Sequence, residues 1–455
     1  MLASASLALL LTGCPLTDHY QLQPEDSNGG ATGGSSTALN AGDGSVTDAG
    51  EASSISGAPN LTEGGRGGAS SGGGEIGGDS GCSPACPAGH ACVAHSCARG
   101  WVEMAAPPKP LVARSKAASV AMGNAVFIWG GIDNAGAALD NGAIYDPTQD
   151  LWTFLPKDPG SPSARIMATA VWTGSGSNKV IVYGGTDASG DNVFKDGAVY
   201  NIAENSWMAL PPPGPATKPR SAPYGYWDGT RAVFFGGLNA VPANVSGADR
   251  FDLSKWSSST TSGDPGQLGF SAIAFDGTVM YLQGGVIGST RQDKVYAYTS
   301  STDTWASLSK SLSVRTGAFG AWDGTHFVVW GGQDDDGLRD DGQALSGMSW
   351  SDMTATSVLS ARRIAFRRSG WAFQVKPGVV AMIGGQVSTS GTTSEALATD
   401  GASYSVSTGE WTAIPSWTSQ ETHEYGIGVW TGEEFVLWGG RDQNVSTLTG
   451  ERWAP

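Results

Sequence analysis

One charged position recurs along the chain. Arg114, Arg165, Arg220, Arg315 and Arg368 each precede a Gly-Gly pair by 16 residues, or 19 for Arg165, and Leu268 and His423 hold the same slot in two further copies. A guanidinium offers forked donors that match a carboxylate. Five of them brought together repel one another unless carboxylates or an anionic ligand balance them. Two residues beyond four of the Gly-Gly pairs stand Asp133, Asp187, Asp334 and Asp442. Two readings stay open: the arginines pair with those aspartates or with neighbouring carbonyls, or they present donors to an acidic peptide, glycan or other anion. His423, with Glu424 beside it, is the weak candidate for acid/base catalysis.

Two other clusters could do chemistry. The run Asp334-Asp335-Asp336-Gly337 with Asp340-Asp341 gathers oxygen ligands of the kind calcium selects, which makes Asp334, Asp336 and Asp340 weak metal candidates. Arg339 interrupts the run and no complete loop pattern is met, so a solvated turn is the preferred reading. Cys82, Cys86, Cys92 and Cys97 form a compact block, an even count that reads as two disulfides in an exported chain. Three pairings are possible, and loop size favours Cys82–Cys92 with Cys86–Cys97. His90 and His95 lie among them, so zinc is the alternative, although the spacing matches no standard finger.

These residues need a scaffold, and the spacing supplies one. Gly-Gly recurs seven times beyond residue 100, at 130, 184, 236, 284, 331, 384 and 439. A period near 50 residues signals a propeller or solenoid. Each pair closes an apolar run, such as Phe127-Ile128-Trp129 or Val436-Leu437-Trp438, which reads as a buried strand. Downstream come an aromatic or leucine (Tyr145, Tyr200, Phe251, Tyr298, Leu345, Tyr404) and then a tryptophan (Trp152, Trp207, Trp256, Trp305, Trp350, Trp411). Every repeat therefore holds four short strands, with the tryptophans as packing. Asp-Gly-Thr from Asp228, Asp276 and Asp323 is expected to turn a hairpin through two positive-φ residues. Trp417 fits no repeat position and is expected to be an exposed aromatic platform. The seventh copy ends at Trp453 without a fourth strand, and Trp101-Val102-Glu103-Met104 is expected to supply it, leaving no unpaired edge.

This frame of Gly-Gly, Tyr and Trp resembles the kelch motif over nearly all of residues 101–455. The resemblance implies an all-β fold, a seven-bladed kelch β-propeller closed by the N-terminal strand. It also implies that the slot residues ring the mouth of a central channel. Kelch propellers include galactose oxidase, whose copper site needs paired histidines and a Cys cross-linked to Tyr. No Cys follows Cys97 and only His326 and His423 lie beyond it, so that site cannot be assembled and no cofactor is expected. N-acetylneuraminate epimerases, also similar, need no metal and keep a sugar-active enzyme as the alternative.

The first hundred residues are a different kind of chain. All 17 Trp lie at or after Trp101. The apolar stretch 2–11 ends in Leu11-Thr12-Gly13-Cys14, which resembles the lipobox of bacterial lipoproteins; the resemblance implies a signal peptide over 1–13 and lipidation of Cys14. No Lys or Arg precedes the stretch, unlike most export signals. Residues 27–81 contain 18 Gly and no aromatic residue, too little apolar surface to offset the entropy of ordering. The expected organisation is therefore a signal peptide (1–13), a lipidated, disordered Gly/Ser-rich tether (14–81), a disulfide-bonded cluster (82–99) and the propeller (100–455). With 26 Lys+Arg against 42 Asp+Glu, nucleic acid is not an expected partner. The functional expectation is a non-enzymatic recognition module for a protein or anionic ligand, held in the bacterial cell envelope by its lipid alone, a structural or adhesion role being a further alternative.

Overall fold

The computed structural model describes residues 90–93, 96–239, 244–309, 312–353, 367–368, 370–388, 395–419, 421–442 and 444–455. Cys14, Cys82 and Cys86 lie outside them.

Apolar runs bounded by turn residues become strands, and among the described residues they assemble into seven antiparallel four-stranded sheets. Six are simple meanders. The first runs Ala118–Met122, Ala125–Trp129, Gly142–Asp146, Leu151–Phe154. The second starts at Thr169–Trp172, the third at Tyr224–Trp227, the fourth at Ala272–Phe275, the fifth at Phe319–Trp322 and the sixth at Trp371–Lys376. The seventh combines Ile427–Trp430, Phe435–Trp438 and Gly450–Trp453 with Trp101–Glu103 from the other end of the chain. In its register Trp101 faces Trp453 and Glu103 faces Glu451.

The strand before most of the Gly-Gly pairs is buried on both faces: Val126, Phe127 and Ile128 are fully inaccessible, as are Phe327 to Trp330 and Phe435 to Trp438, whereas Tyr281 in the fourth sheet is only partly buried. That explains why these runs are continuously apolar rather than alternating, since each sheet is covered on both sides. The outermost strands alternate instead, with Trp152 and Trp207 buried while their neighbours Leu151 and Met208 are exposed.

The core is a series of clusters, each shared by two consecutive sheets. Trp129 and Phe127 pack with Val180, Val182 and Trp207 between the first and second sheets. Val436 and Trp438 pack with Val126, Tyr145 and Trp152 between the seventh and the first. One contact repeats: the last residue of the second strand meets the outer tryptophan of the next sheet. Ring centroids lie 6.0 Å apart for Trp129–Trp207, 4.9 Å for Tyr183–Trp256, 4.6 Å for Trp330–Trp411 and 5.2 Å for Trp438–Trp152. Gln283 holds this position in the fourth sheet, fully buried, its amide without a hydrogen-bond partner.

The same tryptophans act as latches. Trp152 Nε1 donates to the Ala105 carbonyl (2.8 Å), Trp207 to Pro156 (3.0 Å), Trp256 to Pro211 (3.0 Å), Trp350 to Ser309 (2.7 Å) and Trp101 to Pro415 (2.8 Å). Each acceptor lies just past the outer strand of the preceding sheet, so each ring is both packed and tied across the sheet boundary. Near the inner strands there is little room. A Cβ on Gly225 would meet Thr169 Cγ2 at 2.6 Å, and one on Gly428 would meet the Trp371 indole at 2.3 Å.

Two expectations need correction here. The Asp-Gly-Thr turns use one positive φ, not two: Gly229 and Gly277 stand at 96° and Gly324 at 102°. Each Asp instead caps the turn, its carboxylate accepting from backbone N–H groups two and three residues on, as Asp228 does from Thr230 (2.8 Å) and Arg231 (2.7 Å). Trp417 is no exposed platform. It is fully buried, edge-on to Trp101 at 5.6 Å, with Nε1 donating to the Glu421 carbonyl at 2.6 Å.

Candidate functional site

The recurrent slot lies in the connection that enters each inner strand. The residue after it bridges the loop that follows Gly-Gly: Ser115 pairs with Ile132, Ile166 with Thr186, Ser221 with Leu238, Thr316 with Gln333 and Glu424 with Arg441. Two loops of each sheet are thereby zipped together, and the slot side chain is folded beneath them.

Arg114, Arg165, Arg220 and Arg315 are at most 1% exposed, and His423 is fully inaccessible. Each donates to the carbonyl of the first glycine of its own pair. Arg114 Nη1 reaches Gly130 O at 3.0 Å, Arg165 Nη1 reaches Gly184 O at 3.0 Å, Arg220 Nη1 reaches Gly236 O at 2.7 Å and Arg315 Nη1 reaches Gly331 O at 3.0 Å. His423 Nδ1 makes the equivalent bond to Gly439 O at 2.6 Å. In the fourth sheet, where Leu268 fills the slot, the Ser271 hydroxyl serves Gly284 O at 3.1 Å. The guanidiniums are thus spent on the scaffold rather than presented to a ligand, because the sharp turn after the second strand leaves a carbonyl that needs a buried donor. Arg368 lies on the strand Arg367–Arg368, and its side chain is outside the described residues.

The balancing carboxylates are also not those expected. Arg165 pairs with Asp196 (2.9 Å), Arg220 with Asp249 (2.6 Å) and Arg315 with Asp341 (3.0 Å), while Arg114 reaches Asn141 Oδ1 (2.8 Å). These acceptors stand at the entry of the third strand. Asp133 instead caps its own loop through Ala135 N and Ala137 N, both at 2.9 Å. Asp187 is held at about 2, below the usual carboxylate range, by the Asn192 amide and the Ser189 hydroxyl. Asp442 accepts from the Thr422 hydroxyl at 3.1 Å. Asp334 is paired with Arg339 at 3.1 Å and accepts from Asp336 N at 2.9 Å, and Asp335 pairs with Arg291. Among the described residues, no three His, Cys, Asp or Glu side chains are grouped to hold a metal ion.

Burial sets the charge of the slot. It brings Arg114 down to about 10, against the pull of Asp133, and lowers Arg165 against the pull of Asp196. His423 is pushed below its ordinary value chiefly by burial, so it is neutral at pH 7, donating from Nδ1. Its Nε2 has no hydrogen-bond partner, and the ring is enclosed rather than open to a substrate.

What these loops do present is the residue two beyond the slot. Lys116, Met167, Ala222, Phe270 and Tyr425 have φ between 49° and 57°, and Gly317 has 65°. Left-handed φ is uncommon for large side chains and marks a position that the surroundings over-determine. Here backbone hydrogen bonds run from one sheet to the next: Lys116 N to Tyr425 O (2.9 Å), Met167 N to Lys116 O (2.9 Å), Ala222 N to Met167 O (2.7 Å) and Gly317 N to Phe270 O (2.9 Å). Met167, Phe270 and Lys116 are partly exposed, and Lys116 Nζ lies 4.9 Å from the Tyr425 ring centroid. The sequence marks this row only by its fixed offset from the slot, since the residue types differ from repeat to repeat.

Residues 89–237 match the family model described as the KLHDC2/KLHL20/DRC7 Kelch-repeats domain. The N-(sulfonatooxy)prop-2-enimidothioate sulfolyase of Thlaspi arvense is 35% identical over 101 residues, 21% of this chain, and the match spans only 28% of that protein. A solved structure titled "Structure of YjhT" aligns with a TM-score of 0.46 and 18% identity, covering 69% of this chain and 99% of that one. Residues 89–237 are thus similar to a kelch-repeat domain, and the antiparallel four-stranded sheets are consistent with a kelch propeller.

Proposed function

We propose that the seven sheets are the blades of one closed ring, with Trp101–Glu103 completing the last blade, and that the ring is a non-enzymatic recognition module. Its ligand docks on the left-handed row at the central mouth. The observation that carries this reading is the combination of left-handed φ and partial exposure at Met167, Phe270 and Lys116, held by bonds from sheet to sheet. A rigid rim bearing apolar side chains and a cation suits a protein or peptide segment that lodges an apolar residue against Met167 and Phe270. An acidic group on the ligand meets Lys116, which takes over the role first assigned to the arginines.

The test is a peptide and glycan array probed with the full chain and with Met167→Ala/Phe270→Ala. The double variant should lose the wild-type signal while keeping its urea midpoint; an unchanged array pattern would refute the docking site. A sugar-active enzyme remains the competing activity in principle, but it would have to use a group other than the enclosed His423. The lipobox-like Leu11-Thr12-Gly13-Cys14 supports export and anchoring at the bacterial envelope through a lipidated Cys14. Palmitate labelling that survives Cys14→Ser would exclude that anchor.

A further inference from the structure

Just ahead of the seventh sheet's N-terminal strand lies a two-stranded hairpin, His90–Val93 paired with Ser96–Arg99. Its register sets Val93 opposite Ser96 and Cys92 opposite Cys97. Only residues 94 and 95 separate the innermost pair. Adjacent residues cannot hydrogen-bond to each other across a ladder, so Val93 and Ser96 must form the hydrogen-bonded pair. Antiparallel pairs alternate between hydrogen-bonded and non-hydrogen-bonded types. Cys92 and Cys97 therefore occupy a non-hydrogen-bonded pair, where Cα atoms stand about 4.5 Å apart. A disulfide requires a Cα separation of roughly 4.4 to 6.8 Å. No backbone movement is needed to join them.

From this juxtaposition we infer that Cys92 and Cys97 form a disulfide across the hairpin. Cys82 is then left to pair with Cys86, which reduces three possible connectivities to one and displaces the pairing that loop size favours. The link forms by thiol–disulfide exchange with a small disulfide oxidant such as oxidised glutathione. One cysteine thiolate attacks it to give a mixed disulfide and release one glutathione thiol. The other then displaces the second glutathione, so two protein thiols are oxidised as one oxidant disulfide is reduced. The link's nearer cysteine lies four residues upstream of Trp101, in the hairpin from which the closing strand emerges.

The test uses the full chain in a Cys14→Ser background, equilibrated with oxidised and reduced glutathione, with free thiols counted after unfolding. Cys82→Ser/Cys86→Ser should retain no free thiol, because Cys92 and Cys97 remain paired. Cys82→Ser/Cys92→Ser should show two, because each survivor has lost its partner. The opposite result, two thiols in the first variant and none in the second, would establish the crossed pairing and overturn the assignment. Electron-transfer fragmentation of the unreduced wild-type chain gives an independent readout: a Cys92–Cys97 link is expected, and a link from Cys82 to Cys92 or Cys97 excludes it.

Discussion

If the slot arginines are part of the scaffold, removing one should cost stability even where no ligand is present. Arg315 is fully buried, donating to Gly331 O (3.0 Å), to the Asp341 carboxylate (3.0 Å) and to the Ser313 carbonyl and hydroxyl (3.3 and 3.0 Å). In Arg315→Ala the Gly331 carbonyl loses its side-chain donor, a loss of about 1 to 3 kcal/mol, and the vacated volume adds a packing penalty. Breaking a fully buried pair costs about 3 to 5 kcal/mol, but the Asp341 side chain is 42% exposed and water will rehydrate it, which favours the lower end. The expected loss is about 3 kcal/mol, read from the urea midpoint by tryptophan fluorescence with the slope unchanged. Asp341→Asn, which keeps an acceptor beside Arg315, should cost under about 1 kcal/mol. A loss below 1 kcal/mol for Arg315→Ala would refute the scaffold role and return the guanidinium to the list of ligand donors.

Two further outcomes follow from the same geometry. Burial depresses His423 below the ordinary value of about 6.5, so the unfolded chain binds its proton first as pH falls. Stability should therefore decline from about pH 6.5 downward and level off once the folded form is also protonated. His423→Gln should flatten that window in pH-dependent urea melts, and an unaltered profile would assign the titration elsewhere. Deleting residues 101–108 should strongly destabilise the folded part, because Trp101 packs on Trp417, Phe435 and Trp453 and donates to Pro415 O; deleting residues 1–99 should not. Equal melting temperatures for the two deletions would count against closure by this strand.

The repeat and its strands were legible in the sequence because both depend on local pattern. Gly-Gly, the apolar run before it and the Trp after it recur at near-constant spacing, and the observed strands fall on them. The slot was legible as a position but not as a role. Spacing shows that Arg315 precedes Gly331 by 16 residues, but not that a turn leaves the Gly331 carbonyl in need of a buried donor. The wrong aspartates were singled out for a related reason. Asp133 and Asp187 have a regular offset from Gly-Gly yet cap their own loops, whereas Asp196, Asp249 and Asp341 precede or begin the third strand and meet the guanidinium across the sheet. Trp417 misled because it has no counterpart in the other repeats. It is buried in the cluster between the sixth and seventh sheets, with its ring T-shaped to His423 (centroids 5.8 Å apart) and to Trp101 of the seventh sheet's outer strand.

The departures from the repeat have a common logic. In the six copies where the donor is described, the turn carbonyl tolerates different donors, guanidinium, imidazole or the Ser271 hydroxyl, so the slot can drift while the turn persists. The residue two places on is constrained differently. Its backbone is bonded to neighbouring sheets, while its residue type varies, Lys, Met, Ala, Phe, Gly or Tyr, with Lys116, Met167, Ala222 and Phe270 partly exposed and Tyr425 buried. A uniform internal hydrogen-bond system thus supports a non-uniform rim. In the proposed ring, specificity would reside where the copies differ, because identical positions would offer a ligand no distinct orientation. On the proposed reading, a binding partner acts on the left-handed row and not on the more regular arginine slot.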